Sequence, residues 1–392
     1  MSVIVATKEE VLEYYGSEAL GQSKLKLLLG DLGSFHKEFD SSAEHFMIGS
    51  AVDCILTNSR EAFKEDHYIS SVEKLPSESV IEILNLVHND LLQDYAEHLE
   101  VITGQEEPEP VTPFHEFVGE LKEWDTYILD ACEKTGWQPR WGADAKLKNI
   151  IEPGSEYFKD LCLAFGKTVI SQTQFDNIKS IVKSLENNPR TSRFFDRITF
   201  ENLPGITIYY QFPIYFEYRG VQCKALLDMV IVERDHEERI LSITGIDLKT
   251  MNGNTYSFPY SIKQRRYDIQ AAWYTLALQH HFAVPEGANV IKPFQFVVES
   301  TSFQGKPLVY TVADSLLGIG RYGRRAIPLY ETDAFNLFIG DGIGNAIIQH
   351  EIKGFEQLLD MYIYHSENGF TEEREIQEAG LSPLVVNWDG II

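Results

Sequence analysis

Residues 205–235, GITIYYQFPIYFEYRGVQCKALLDMVIVERD, limit what this chain can become more than any other stretch. They are crowded with β-branched and aromatic side chains, which suit pleated, half-buried strands, and Arg219-Gly220 interrupts them as a turn would. A charged segment, RDHEER, leads into a third strand-like run, ILSITGIDLKT. A helical pattern through IKQRRYDIQAAWYTLALQHHF comes next, followed by a further strand, FQFVVES. Strands, helix and strand in that order predict a mixed sheet with helices against it. The expected fold class is therefore α/β (α+β), a central mixed β-sheet flanked by helices.

The residues before the sheet read differently. SKLKLLLGDLGSFHKEF opens at Ser23, a natural helix N-cap, and continues with helix-spaced leucines. SSAEHFMIGSAVDCILTNS reads as a second helix, with Phe46, Ile48, Val52 and Ile55 as its apolar positions. An acidic, mostly helical region follows, broken by the linker-like TGQEEPEPVTPF, and TQFDNIKSIVKSLENNP is a clear amphipathic helix. The expected organisation is a helical part over 1–195, a core over 196–300, and a mixed extension over 301–392 in the same domain.

Four cysteines (Cys54, Cys132, Cys162 and Cys223) lie far apart with no CxxC pair. That spacing argues against zinc or an iron–sulfur cluster and fits a reduced, cytoplasmic protein. The opening residues show no basic segment followed by an apolar one, so no secretory leader is expected. AAWYTLALQHHFAV, the most apolar long stretch, is interrupted by Gln279, His280 and His281, so no membrane span is expected. A net charge of −25 at first argues against nucleic acid. Its distribution weakens that objection, because residues 221–330 hold twelve Lys and Arg against ten Asp and Glu. Residues 91–133 hold twelve acids and one base, so the acid is concentrated elsewhere and serves solubility.

Inside the strand-like runs sit two acids and a lysine: Asp228, Asp247 and Lys249. With RDHEER as the turn, position 228 is expected opposite about 245, which sets Asp228 diagonally beside Asp247 at roughly 7–8 Å. Alternation along a strand puts Lys249 on the same face as Asp247. Two carboxylates so close repel unless a cation lies between them, and oxygen ligands suit Mg²⁺ or Mn²⁺. Taken alone, the three residues fit a surface salt-bridge cluster equally well.

LLDMV, GIDLKT and YDIQAAWY, in this order, resemble the PD-(D/E)xK nuclease superfamily, in particular its RecB and RecE-type, phage exonuclease-like branch. There a lone Asp on one strand precedes (D/E)-x-K on the next, and a helix with Q-x-x-x-Y follows. The matching positions are Asp228, then Asp247-Leu248-Lys249, then Gln270 and Tyr274. The branch also carries a G-x-x-x-H element, and here GSAVD places Asp53 where the histidine is usual, which keeps an oxygen ligand. Gln211 stands where family members often carry a Glu.

The resemblance implies a restriction-endonuclease-like core and a metal-dependent deoxyribonuclease. Asp53, Asp228, Asp247 and the Leu248 carbonyl would hold Mg²⁺, with Mn²⁺ able to substitute and no iron–sulfur cluster. Lys249 would orient the attacking water and stabilise transition-state charge. Gln270, Tyr274, Lys263, Arg265 and Arg266 would face the DNA backbone, and Ser23 matches a position that can touch it. Trp273 reads as core. The expected substrate is double-stranded DNA ends, degraded exonucleolytically in phage-type recombination or repair. A single-strand annealing protein and a homo-oligomer are the expected partners. Two other readings stay open: a structure-specific or defence endonuclease, and a nuclease-fold subunit that binds DNA without cutting it.

Overall fold

The computed structural model describes residues 3–30, 32–36, 44–73, 75–103, 112–119, 124–285, 288–324 and 352–370. The chain divides into two compact units, one formed by 1–49 with 183–392 and the other by 50–182. Strands among the described residues are β1 (Val3–Val5), β2 (Leu20–Gly21), β3 (His67–Ile69), β4 (Thr168–Ile170), β5 (Ile206–Tyr218), β6 (Val221–Arg234), β7 (Ile240–Met251), β8 (Gln295–Ser300) and β9 (Leu308–Thr311).

The first unit is built on a mixed sheet ordered β1-β5-β6-β7-β8-β9, with β2 added alongside β6. The β5–β6 and β6–β7 pairs are antiparallel, whereas β7 and β8 run parallel with the Tyr267–His281 helix between them in sequence. Helices flank the sheet, so the expected fold class is what the chain adopts. The first hairpin closes through Arg219 and Gly220, at φ of +54° and +77°. Two positive φ values in a two-residue loop match the right-handed twist of the strands that they join.

The core of this unit lies between the sheet and the Tyr267–His281 helix. Trp273 is fully buried there, as expected, and its indole Nε1 donates to the Lys224 carbonyl at 3.0 Å. The extension beyond residue 300 supplies β9 and two packed helices, Asp314–Tyr322 and Phe355–Asn368. Gly320 touches the Tyr267–His281 helix so closely that a Cβ would come within 2.1 Å of the Asp268 carbonyl oxygen. Residues 320–325, GRYGRR, take part in this packing through Gly320 and Arg321. Arg321 pairs with Glu356 at 3.1 Å and Arg324 bridges Ile352, while Arg325 lies outside the described residues.

The second unit is helical. Its core gathers Ile83, Val87 and Leu91 of the Glu78–Thr103 helix with Ile128, Ile150 and Phe158, beside a short parallel β3–β4 pair. The Gln172–Asn187 helix is the one foreseen from its periodicity. All four cysteines are free. Among the described residues no helix is long and apolar enough to cross a membrane.

Two local expectations fail for tertiary reasons. The run from Ile262 to Phe282 is not one helix but two, Phe258–Arg265 and Tyr267–His281. Arg266 breaks it in the left-handed region at φ +50°, held by its guanidinium on Asp268 (2.9 Å) and on the Lys353 carbonyl (2.7 Å). Ser23 is not an N-cap either. The helix is Gln22–Lys26, capped by Gly21 without a side-chain bond, because Leu20 and Gly21 are drawn into pairing with β6.

Candidate active site

The hairpin β6–β7 sets the register of the acids. Asp235 closes the turn by accepting from the N–H groups of Glu237 (2.9 Å) and Arg239 (3.0 Å), and Glu238 takes φ +62°. A register shift follows at Glu233/Arg234, and the ladder then runs in step to Met229 opposite Ile246. One step further come Asp228 and Asp247, directly across from each other. The diagonal placement expected from a centred turn was thus off by two residues, one from the offset of the Asp235–Arg239 turn and one from the bulge.

At this point the strands part. Leu248 N–H donates to the Asp228 side chain, Oδ2, at 2.7 Å instead of to a ladder carbonyl. One edge of β6 is occupied along its length by β5, so both β7 and β2 must use the other. β7 holds that edge from Met229 to Arg234 and β2 holds it at Cys223 and Lys224. A fork therefore opens beside Asp228, while β7 continues against β8 from Ile246 to Met251. Gln211 falls in the same row. It lies between the pairs Tyr210–Met229 and Phe212–Leu227, at φ +51°, an unusual conformation for a residue other than glycine.

Asp247 is buried at 2% exposure, with Lys249 in ion-pair contact with its Oδ2 and Gln270 Nε2 donating to its Oδ1 at 2.7 Å. The Lys249 ammonium is the donor to Oδ2, so each Asp247 oxygen has one side-chain partner. Burial raises the Asp247 pKa against the pull of Lys249 and Lys26. Burial alone would lower the Lys249 pKa, but Asp247, Asp228 and Tyr267 outweigh it and raise it. These two shifts point to opposite protonation of one pair. We favour a charged Lys249, since it answers two carboxylates and lies 5.0 Å from the Tyr267 ring centroid.

Tyr274 is buried in the same site, its hydroxyl held well above the usual phenol range by burial and then by Asp247, Tyr14 and Asp228. Gln270 bonds to it as well as to Asp247, so the Q-x-x-x-Y pair meets the acids through Gln270. Lys26 is a residue that sequence reasoning missed. Its Nζ reaches the Arg265 carbonyl at 3.4 Å and lies 5.9 Å from the Tyr267 ring centroid. Burial and the neighbouring Lys249 push its pKa down to about 8, against the pull of Asp247 and Asp268. The only local signal, SKLK before a leucine run, could not have singled it out.

The other sequence candidates are distributed around this centre. Lys263 and Arg265 are exposed on the Phe258–Arg265 helix. Arg266 is half-buried and committed to Asp268. Ser23 is exposed, its Oγ accepting from Gln22 Nε2 at 2.9 Å. Gly49, of the GSAVD element, lies against Thr250, whose Oγ1 would be 3.1 Å from an added Cβ. Asp53 ends the Glu44–Asp53 helix, is half-buried and belongs to the second unit.

A divalent ion fits the donors of the first unit. Two carboxylates face one another where a ladder opens, the Leu248 carbonyl directly follows Asp247 in sequence, and a single ammonium, Lys249, answers both acids. Among the described residues no three His, Cys, Asp or Glu side chains converge, so these acids alone make an incomplete shell. Hard cations complete such shells with water.

No family model matches the chain, and no curated protein does. Among solved structures it is similar to a candidate exonuclease from Eubacterium rectale, at 13% identity over 80% of this chain and 79% of that one, with a TM-score of 0.36.

Proposed function

We propose that this protein is a metal-dependent deoxyribonuclease, an exonuclease that degrades linear double-stranded DNA from its ends in phage-type recombination or repair. One observation carries the reading: Asp228 and Asp247 come together at an open fork, with the Lys249 ammonium on Asp247 and under the pull of Asp228 as well. Asp228, Asp247 and the Leu248 carbonyl would hold Mg²⁺ or Mn²⁺. When bound, such an ion makes water more acidic and offsets negative charge on phosphate.

The remaining work falls to the chain's own groups. Gln270 holds the Asp247 carboxylate in one rotamer through its Oδ1. Lys249 orients the attacking water and offsets the charge that develops on the phosphoryl oxygens, with no reorganisation needed during reaction. Lys26 adds a second ammonium beside it, and two adjacent cations in a partly buried site favour an anionic substrate. Lys263, Arg265 and Ser23, all exposed, would contact the sugar–phosphate backbone and position it.

End-labelled linear duplex and covalently closed circular DNA, incubated with Mg²⁺, Mn²⁺ or EDTA beside Lys249→Ala, test the proposal. Metal-dependent loss of the linear form alone, reduced by about 10²–10³ in the variant, is the expected result. Cleavage of the circle would replace the exonuclease by an endonuclease. An inert protein would leave only a nuclease-like site without chemistry.

A further inference from the structure

Beyond the carboxyl ends of β7 and β8, two loops leave the sheet together. Thr301 N–H donates to the Met251 carbonyl at 2.8 Å, and Ser302 Oγ donates to Asn252 Oδ1 at 2.5 Å. Thr255 Oγ1 donates to the Lys306 carbonyl at 3.0 Å, and the Tyr310 hydroxyl donates to the Thr255 carbonyl at 2.8 Å. The joined surface begins two residues after Lys249.

Three large aromatic side chains stand out from it: Tyr256 at 66% exposure, Tyr260 at 64% and Phe303 at 66%. Tyr256 and Tyr260 are four apart across the Thr255–Ser257 turn and the start of the Phe258–Arg265 helix, and Lys263 follows three residues on. That spacing puts rings and cation along one helical side, opposite the buried Phe258 and Ile262. None of the three rings gains much burial in the fold, whereas single exposed aromatics elsewhere are ordinary.

The charge of the same surface departs from that of the protein. Residues 252–266 and 301–313 contain no acid, in a chain with 59 acids among 392 residues, and together they carry four bases. An acid-free patch with interleaved rings and bases, continuous with the catalytic strand, complements a polyanion that offers planar faces. Bases in a duplex are stacked on one another and present only edges, so the matching ligand is a strand with unpaired bases.

We propose that this surface binds single-stranded DNA, stacking unpaired bases on Tyr256, Tyr260 and Phe303 while Lys263 and Lys306 follow the phosphates. The proposal deepens the nuclease reading, and rests on it for the choice of DNA: the strand held there is one frayed or freed next to the Asp228–Asp247 site.

Binding is measured on the full chain in EDTA, so that no cleavage is needed, with a fluorescent single-stranded DNA and an abasic strand of equal length and charge. The parent protein should prefer the base-bearing strand. Each of Tyr256→Ala, Tyr260→Ala and Phe303→Ala should weaken that strand by about tenfold and leave the abasic strand unchanged. Tyr256→Phe and Tyr260→Phe, which keep the rings, should bind as the parent does, and Lys263→Ala should weaken both strands alike. Equal affinity of the parent for the two strands would overturn the proposal, as would ring removals that cost nothing or cost the same on both. Cleavage in Mg²⁺ is read separately. An inert protein that still shows the ring effect sinks only the enzymatic reading, and active cleavage without a ring effect sinks only the stacking site.

Discussion

Asp160 in the helical unit and Asp247 in the sheet unit are both carboxylates taken almost wholly out of water, at 5% and 2% exposure. Asp160 is met by the fold itself. The Ser70 hydroxyl donates to it at 2.5 Å and the Ser71 N–H at 3.1 Å, tying β3 and its following turn to the Ala143–Ala164 helix. Glu299, fully buried, is satisfied in the same way by the Ser300 N–H, the Gly305 N–H and the Ser184 hydroxyl. Asp247 instead has one neutral donor, Gln270, and one ammonium, Lys249, which Asp228 attracts as well. Two carboxylates that draw on one ammonium carry surplus negative charge, so these acids, unlike Asp160, are the ones arranged for a cation added from outside.

The comparison can be broken most directly at the acids themselves. Asp247→Ala should reduce metal-dependent DNA cleavage by about 10³ or more, comparable to losing a principal transition-state contact. Mg²⁺ should also raise the melting temperature of the parent but not of that variant, because an ion that binds only the folded state stabilises it by mass action. A parent insensitive to Mg²⁺ would count against the metal site, whatever the activity shows.

Asp160→Ala should behave in the opposite sense. It strands the Ser70 hydroxyl and Ser71 N–H and should lower unfolding stability by about 1–3 kcal/mol, seen by denaturant titration, with no dependence on Mg²⁺. A variant as stable as the parent would show that burial and pairing had been misread as structural.

Lys26→Ala sharpens the picture within the site. Removing one of two neighbouring ammonium groups should relieve their repulsion yet lower kcat/KM by about tenfold, with the fold unchanged by circular dichroism. Undiminished kcat/KM would assign Lys26 to packing on Tyr267 alone.

Much of the hairpin was legible in the sequence. The Arg219-Gly220 turn, the β-rich runs and the shared face of Asp247 and Lys249 all follow from dihedral preference and a period of two, which act within a few residues. The bulge behind Asp235 was not, because a turn whose side chain caps its own N–H groups shifts register without changing composition. Nor was the break at Arg266, which depends on a carbonyl 87 residues away at Lys353.

By itself the sequence determined which segments become strands and helices, and it set Asp247, Lys249, Gln270 and Tyr274 in order along them. Only the tertiary structure decided that Asp228 faces Asp247 across an opening fork and that Lys26 joins them from the far end of the chain. It also decided that the Lys249 ammonium answers both acids. Alternation and turn chemistry are local, whereas pairing, burial and the interaction of charges depend on which distant segments the packed core brings together.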